Sequence, residues 1–177
     1  TAGATLTGKT IDIGTSTTFE SATVNAGAMS DNATVTLKGT NDLTLTSVDG
    51  DIDASAYVGA LGATVTNTAN ATLKIGTAAN TVTAKGAANT EILTIDASAG
   101  SGTAGTLTLN DGGAVAGEIT ITGLENNLTI VNGFQGTAAL SVTAGATLTG
   151  KTIDIGTSTK FESATVNATA LADNATV

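Results

Sequence analysis

A triplet in which one apolar residue stands between two threonines occurs eight times along the chain, and it limits the folds open to this sequence. Alternation of apolar and β-branched polar residues predicts half-buried strands, with apolar side chains inward and threonine hydroxyls outward. Turn-forming Gly, Asn and Asp separate the triplets, and Gly and Thr interrupt every Ala-rich run, so no long helix is predicted. The chain is therefore predicted to be all-β. The triplets are Thr5–Thr7, Thr34–Thr36, Thr44–Thr46, Thr64–Thr66, Thr81–Thr83, Thr106–Thr108, Thr120–Thr122 and Thr147–Thr149.

Small side chains favour one all-β architecture over another. Aromatic residues make up only 2% of the chain, whereas a β-sandwich usually fills its core with aromatic and long aliphatic side chains. A β-solenoid has a narrow interior that Val, Ile, Leu and Ala can fill, and equivalent residues stack about 4.8 Å apart on successive rungs. We therefore expect a β-solenoid of β-helix or β-roll type, with tandem antiparallel β-sandwich modules as the alternative.

The first 35 residues return almost unchanged near the end of the chain. Residues 1–35 and 143–177 agree at 31 of 35 positions, at an offset of 142 residues. The differences are Thr18/Lys160, Gly27/Thr169, Met29/Leu171 and Ser30/Ala172. We interpret residues 1–142 as one full repeat unit and residues 143–177 as the start of the next, and we expect the parent to be a long tandem array.

Missing residue types exclude several functions. The chain has no His, Cys or Arg and a formal net charge of −9, so the usual bases, thiolates and phosphate-binding groups are absent. These features predict a protein that is not an enzyme and does not bind nucleic acid. No run approaches the roughly 18 apolar residues of a membrane span, so membrane insertion is not expected.

The strongest metal candidate is the acidic segment Asp49-Gly50-Asp51-Ile52-Asp53. Three carboxylates within five residues could supply the oxygen ligands that calcium prefers, so Asp49, Asp51 and Asp53 are the predicted metal ligands. The segment lacks the closing bidentate Glu of an EF-hand loop. The alternative interpretation is a solvated acidic turn.

Two short segments, Gly76–Val82 and Gly86–Ile92, resemble the nonapeptide of the repeats-in-toxin calcium β-roll. Gly76 and Val82 match its second Gly and its apolar residue, as do Gly86 and Ile92. In the first segment Asn80 replaces the calcium-binding Asp, and in the second Asn89 is out of step with that position by one residue. The Thr/Ala/Gly-rich, Cys-free and acidic composition is similar to that of repeats in large bacterial surface-layer proteins and secreted adhesins. This resemblance implies export to the cell surface, calcium-aided folding and assembly.

These features together predict a structural protein. We expect a repeat unit of an extracellular, self-assembling surface array, filament or adhesin stalk, whose partners are identical repeats or chains and divalent cations. Calcium is the only cofactor expected. The alternative is an ice-binding β-solenoid with exposed Thr-x-Thr rows. The irregular spacing of the triplets weighs against that alternative, because an ice-matching plane needs one triplet on each rung.

Overall fold

The computed structural model describes residues 8–14, 21–30, 33–85, 91–100, 105–113, 117–131, 139–156 and 161–171. In these residues all regular structure is β-strand, as the Thr-apolar-Thr alternation predicts. The strands are β1 (Lys9–Asp12), β2 (Ser21–Asn25), β3 (Thr34–Lys38), β4 (Asp42–Val48), β5 (Asp51–Asp53), β6 (Leu61–Val65), β7 (Ala71–Lys74), β8 (Asn80–Ala84), β9 (Ile92–Asp96), β10 (Thr106–Asp111), β11 (Glu118–Leu124), β12 (Asn127–Ile130), β13 (Ala139–Ala144), β14 (Ile153–Asp154) and β15 (Ser163–Asn167).

The strands wind into a β-solenoid with two parallel sheets. One sheet contains the eight odd-numbered strands in sequence order, and the other contains the seven even-numbered strands, so each coil contributes one strand to each sheet. We call these the odd sheet and the even sheet. The solenoid prediction is confirmed, and the sandwich alternative is wrong because no described pair of strands runs antiparallel.

The interior consists of columns of aliphatic side chains, one residue for each coil. In the odd sheet the register stacks the buried residues Val35, Ile52, Leu73, Ile95, Ile121 and Val142. In the even sheet the register stacks Leu45, Ala63, Val82, Leu109 and Ile130. Because each side chain packs on equivalents above and below it, the thin core of the described residues is filled almost entirely by aliphatic side chains, with Tyr57 as its buried aromatic ring.

Turns at the corners allow the coil length to vary. Six of the strands end in an Asp or Asn whose side-chain oxygen accepts a hydrogen bond from the backbone N–H two residues later. These turns are Asp12–Gly14, Asn25–Gly27, Asp53–Ser55, Asp96–Ser98, Asn167–Thr169 and, after β14, Asp154–Gly156. Such Asx turns redirect the chain locally, so the loop beyond each turn can lengthen without disturbing the strand register.

The two copies of the repeated segment lie in opposite sheets. In the first copy, β1 pairs with β3 in the odd sheet and β2 pairs with β4 in the even sheet. In the second copy, the equivalent of β1 is β14, which pairs with β12 in the even sheet, and the equivalent of β2 is β15, which pairs with β13 in the odd sheet. An offset of 142 residues therefore advances the solenoid by six and a half coils rather than by a whole number.

Candidate functional site

The acidic segment Asp49–Asp53 forms the corner between β4 and β5. Ser47, at φ 56°, precedes it and lies within a register shift of the β4–β6 pairing. Asp49 projects toward the next coil, where its Oδ1 accepts a hydrogen bond from the backbone N–H of Thr68 at 2.7 Å. The hydroxyl of Thr68 also donates to both oxygens of Asp49 at 3.2 Å. The Asp49 carboxylate therefore joins two successive coils.

Asp51 and Asp53 have separate protein partners. The Oδ1 of Asp51 accepts from the backbone N–H of Thr72 in the next coil at 2.7 Å. The Oδ1 of Asp53 accepts from the Ser55 hydroxyl at 2.6 Å, and its Oδ2 lies 3.9 Å from Nζ of Lys74. The Ser55 hydroxyl lowers the pKa of Asp53, assisted by the Ser55 backbone N–H and the Lys74 charge and opposed by partial burial.

An open depression of about 250 Å³ lies on the outer face of the odd sheet beside this corner. Residues of three neighbouring strands line it: Thr34, Asp51, Ile52, Asp53, Thr72 and Lys74. Two carboxylates, one ammonium group and two hydroxyls suit a hydrated cation or a polar group of a neighbouring chain. The depression contains no aromatic side chain on which a sugar ring could stack.

A second corner, Glu125–Asn127 between β11 and β12, repeats this arrangement on the opposite side of the solenoid. Gly123, at φ 60°, precedes it, and Glu125 Oε2 accepts from the backbone N–H of Thr147 at 3.0 Å. Asn127 Oδ1 accepts from the backbone N–H of Thr152 at 3.0 Å, as Asp51 does from Thr72. Because an uncharged Asn makes this contact at the second corner, a negative charge is not required for it.

The predicted metal ligands remain a prediction. Asp49, Asp51 and Asp53 lie at one corner, as the sequence indicates. Among the described residues, no group of three acidic side chains is arranged to hold a metal ion. The three carboxylates accept hydrogen bonds between and within coils, a role that was not predicted from the sequence.

The outer faces carry columns of hydroxyl side chains. On the odd sheet the register stacks Thr72, Thr94, Thr120, Ser141 and Thr165, one residue for each coil. On the even sheet it stacks Thr23, Thr44, Thr81, Thr108 and Thr129, with Gly62 between Thr44 and Thr81. The irregular sequence spacing of the triplets is therefore absorbed by the corners and does not prevent alignment on the surface.

Tyr57 is a structural residue that the sequence analysis did not single out. It is buried at the corner between β5 and β6, and its hydroxyl donates to the carbonyl oxygen of Asn41 in the preceding coil. Burial raises the pKa of Tyr57, and the negative charge of Asp42 adds to the rise. A Cβ on Gly39 would lie 3.3 Å from Cε2 of Tyr57, and a Cβ on Gly76 would lie 2.0 Å from its carbonyl oxygen. Gly39 therefore makes room for the ring, and Gly76 allows the next coil to approach the backbone of Tyr57 closely.

Asn80 shows where the resemblance to the calcium nonapeptide falls in the fold. It begins β8 with its side chain in the interior, between Leu61 and Leu107 of the neighbouring coils. Its Nδ2 donates to the carbonyl oxygens of Gly76 and Ala78 at 3.1 and 2.6 Å. Asn80 therefore closes a turn within its own coil. Most of the second nonapeptide-like segment, residues 86–90, lies outside the described residues.

Comparisons with models of protein families, with curated proteins and with solved structures returned no match for this chain. The described part of the chain also contains no helix long and apolar enough to cross a membrane.

Proposed function

We propose that the chain is a structural repeat unit of an extracellular, self-assembling array, filament or adhesin stalk, without enzymatic activity. The observation that carries this proposal is the stacking of the second copy of the repeated segment on the first unit. β14 and β15 continue the parallel ladders of β12 and β13, so the next unit begins without a break in either sheet. A tandem array of such units is one uninterrupted rod.

The dimensions of that rod follow from the coil count. Parallel strands are about 4.8 Å apart, so six and a half coils extend the rod by about 31 Å for each 142-residue unit. Because each coil contacts only its neighbours, stability increases with the number of coils. Long reach from a thin, repetitive core is the property that a stalk or a filament needs.

The lateral contacts of the proposed array involve divalent cations. The chain has 15 acidic and 6 basic residues, so neighbouring rods repel one another at low ionic strength. Outward carboxylates such as Asp51 and Asp53 border the open depression on the odd sheet. We propose that calcium bridges such carboxylates on adjacent rods, which requires no complete metal site within one chain.

Chains of increasing length test the rod. We would prepare one, two and three copies of residues 1–142, each followed by residues 143–177, and measure the maximum dimension by small-angle X-ray scattering in the presence of chelator. The expected result is an increase of about 31 Å for each added unit. Flexible particles or compact clusters of separate modules would contradict the continuous solenoid.

Electron microscopy of the three-unit chain tests the assembly. We expect ordered filaments or sheets with calcium and dispersed rods with chelator. A matched variant in which Asp51 and Asp53 are both replaced by Asn is expected to need a higher calcium concentration. Dispersed rods in both conditions would contradict the assembly proposal, while leaving the measured rod length unaffected.

The aligned hydroxyl columns favour ice binding as a second candidate function. The hydroxyl column of the odd sheet, which runs from Thr72 on β7 to Thr165 on β15, places one hydroxyl about every 4.8 Å. A surface that matches the lattice of ice requires such regularity. Thermal hysteresis of the purified chain is the test. If the odd sheet binds ice, the Thr94→Lys variant loses thermal hysteresis and the Thr108→Lys variant, altered on the even sheet, keeps it. If the chain is only a structural repeat, neither the original chain nor either variant shows hysteresis.

A further inference from the structure

We propose that two copies of this chain pair through the outer face of the even sheet, with no cation between them. The surface consists of two adjacent columns of outward residues, and we call it the threonine face. The first column is the even-sheet hydroxyl column described above, from Thr44 to Thr129. The second column, two residues further along each strand, contains Thr64, Thr83 and Asn110. This contact is separate from the calcium-bridged contact of the odd sheet.

The threonine face carries no charged side chain, since all its residues are Thr, Asn or Gly. Asp42 lies outside the two columns, at the start of β4. With a formal net charge of −9, copies of the chain repel one another, and their threonine faces can meet at the lowest electrostatic cost. The outward positions of the odd strands β5, β7, β9 and β11, by contrast, include the charged residues Asp51, Asp53, Lys74, Asp96 and Glu118.

A glycine interrupts the first column of the threonine face. Two of the described strands contain glycine, and Gly123 of β11 has a positive φ of 60° at a register shift. Gly62 of β6 has no positive φ, and it pairs in register with Thr44 and Thr81. A Cβ on Gly62 would lie 4.0 Å from the carbonyl oxygen of Leu43 and from Oγ1 of Thr44, which is an ordinary contact. Nothing in the described part of the chain therefore requires glycine at this position.

A glycine inside a strand, with no internal reason for it, indicates that another surface approaches closely. The missing side chain of Gly62 leaves a notch between Thr44 and Thr81. A flat lattice would leave this notch empty, whereas the threonine column of a second copy has protruding side chains that fill it. Threonine hydroxyls both donate and accept hydrogen bonds, so two such faces are complementary. The contact is isologous, because each copy places a threonine in the notch of the other.

The size of the threonine face sets the strength of the contact. The strands β4, β6, β8, β10 and β12 lie about 4.8 Å apart, and a face five residues wide covers on the order of 400 Å² on each chain. A stable protein–protein interface buries about 800 Å² on each partner, so a pair of single chains is expected to separate at micromolar concentrations. Rods in dilute solution with chelator therefore stay dispersed.

Sedimentation equilibrium of the full chain, from about 20 µM to 1 mM with chelator present, measures the pairing. We would compare the original chain with a Thr81→Lys variant on the threonine face and a Thr94→Lys variant on the odd sheet. Both threonines are half-buried with a paired strand on either side, and both changes add one positive charge. The original chain and Thr94→Lys are expected to form dimers with a Kd on the order of 0.1 mM. Thr81→Lys is expected to raise this Kd at least 10-fold.

A Gly62→Val variant tests the notch independently. Valine suits a strand and restricts the unfolded chain, so the midpoint of urea denaturation at about 5 µM protein should rise. The same valine fills the notch, so the Kd of pairing should rise at least 10-fold. A Thr94→Val variant on the odd sheet is the matched control and should leave the Kd unchanged. Opposite changes in folding stability and pairing separate a contact with a partner from a structural role.

A chain that stays monomeric up to 1 mM would overturn the proposal, and so would equal Kd values for Thr81→Lys and Thr94→Lys. A Gly62→Val variant that pairs as the original chain does would show that no partner side chain enters the notch. Loss of its β-sheet circular dichroism would show that the fold itself needs this glycine, and either result would also overturn the proposal. The calcium-dependent assembly is measured separately by electron microscopy and is unaffected by these outcomes.

Discussion

The first and last coils have almost the same sequence but different neighbours. Residues 8–14 and 150–156 are identical, and their backbones agree: Gly8 and Gly150 have φ values of 69° and 70°. The Asx turns agree as well, with Asp12–Gly14 at 2.7 Å and Asp154–Gly156 at 2.8 Å. Local sequence therefore sets the turn, whereas the strand is longer in β1 (Lys9–Asp12) than in β14 (Ile153–Asp154), and the sheet that it joins depends on how many strands precede it.

The burial of a residue also depends on the coil beside it rather than on the repeated segment to which it belongs. Ala26 is 1% exposed because the coil that contains β4 covers it, and its N–H donates to the carbonyl oxygen of Thr46. Its equivalent, Ala168, is exposed, because no described coil covers it. The comparison separates what the repeated segment specifies from what the adjacent coil adds, and substitutions can test each part.

The largest loss of stability is expected when the leucine on which each copy stacks is replaced by alanine. Leu37→Ala and Leu128→Ala should each lower the free energy of unfolding by about 2–5 kcal/mol, because both side chains are fully buried. Urea denaturation would measure both changes, with Thr129→Ala on the outer face as the control. If one substitution cost less than 1 kcal/mol, the two copies would not rest on equivalent columns.

A smaller effect is expected where the copies differ in sequence. A Cβ on Gly27 would lie 2.9 Å from Cβ of Ser47, whereas no described coil covers its equivalent, Thr169. Gly27→Thr should therefore destabilise the chain by about 1–3 kcal/mol through overpacking. Thr169→Gly should change the stability by about 0.5 kcal/mol or less. Equal effects in thermal denaturation would show that the next coil does not explain this difference.

Tyr57 provides a third distinction, since it packs near the first copy only. A Cβ on Gly39 would contact both Ile13 and Tyr57, so this corner links the ring to the first coil. The pKa of Tyr57 is raised in the folded state. Its contribution to the free energy of unfolding is therefore fully present below about pH 10, the pKa of a tyrosine in the unfolded chain. It is lost as the pH rises through the folded pKa.

Tyr57→Phe should cost about 1 kcal/mol at neutral pH and should remove part of the loss of stability above pH 10. Urea denaturation of the original chain and the variant between about pH 7 and pH 12 would measure both changes. Identical alkaline unfolding of the original chain and the variant would contradict this role for Tyr57.

The smallest effect is expected at the matched Asx turns. Asp12→Ala and Asp154→Ala each remove a hydrogen bond from a backbone N–H, at 2.7 and 2.8 Å. Each should cost about 0.5–1.5 kcal/mol. The two costs should agree closely in chemical denaturation, because the turn is local. A large disagreement would mean that the neighbouring coil, rather than the turn itself, determines its stability.

The sequence predicted the strands and the architecture because both depend on local alternation and side-chain size. Val35, Leu45 and Val82 lie inside, as their positions between threonines indicate. Asn70 and Asn80 are ten residues apart, a spacing that a sequence reader could take for one coil. However, Asn70 precedes a strand of the odd sheet and Asn80 begins one of the even sheet, so their separation is half a coil.

The corners and their contacts were not predictable from the sequence. Asp49 and Thr68 are 19 residues apart, and Glu125 and Thr147 are 22 apart, so no fixed spacing reveals the bonds between coils. The half-turn offset of the second copy depends on the number of strands in a unit, which the irregular corners conceal. The grouping of Asp49, Asp51 and Asp53 at one corner was predicted, but their individual partners were not.

Engineered disulfides test the opposite placement of the two copies most directly, because the chain has no Cys of its own. Thr129 pairs with Asp154 in the even sheet, and neighbouring strands place their Cα atoms within the range that a disulfide spans. The T129C/D154C variant should form an intramolecular disulfide on mild oxidation, and the S141C/D154C variant should not, as Ser141 lies in the odd sheet. A disulfide in the second variant and none in the first would contradict the half-turn offset.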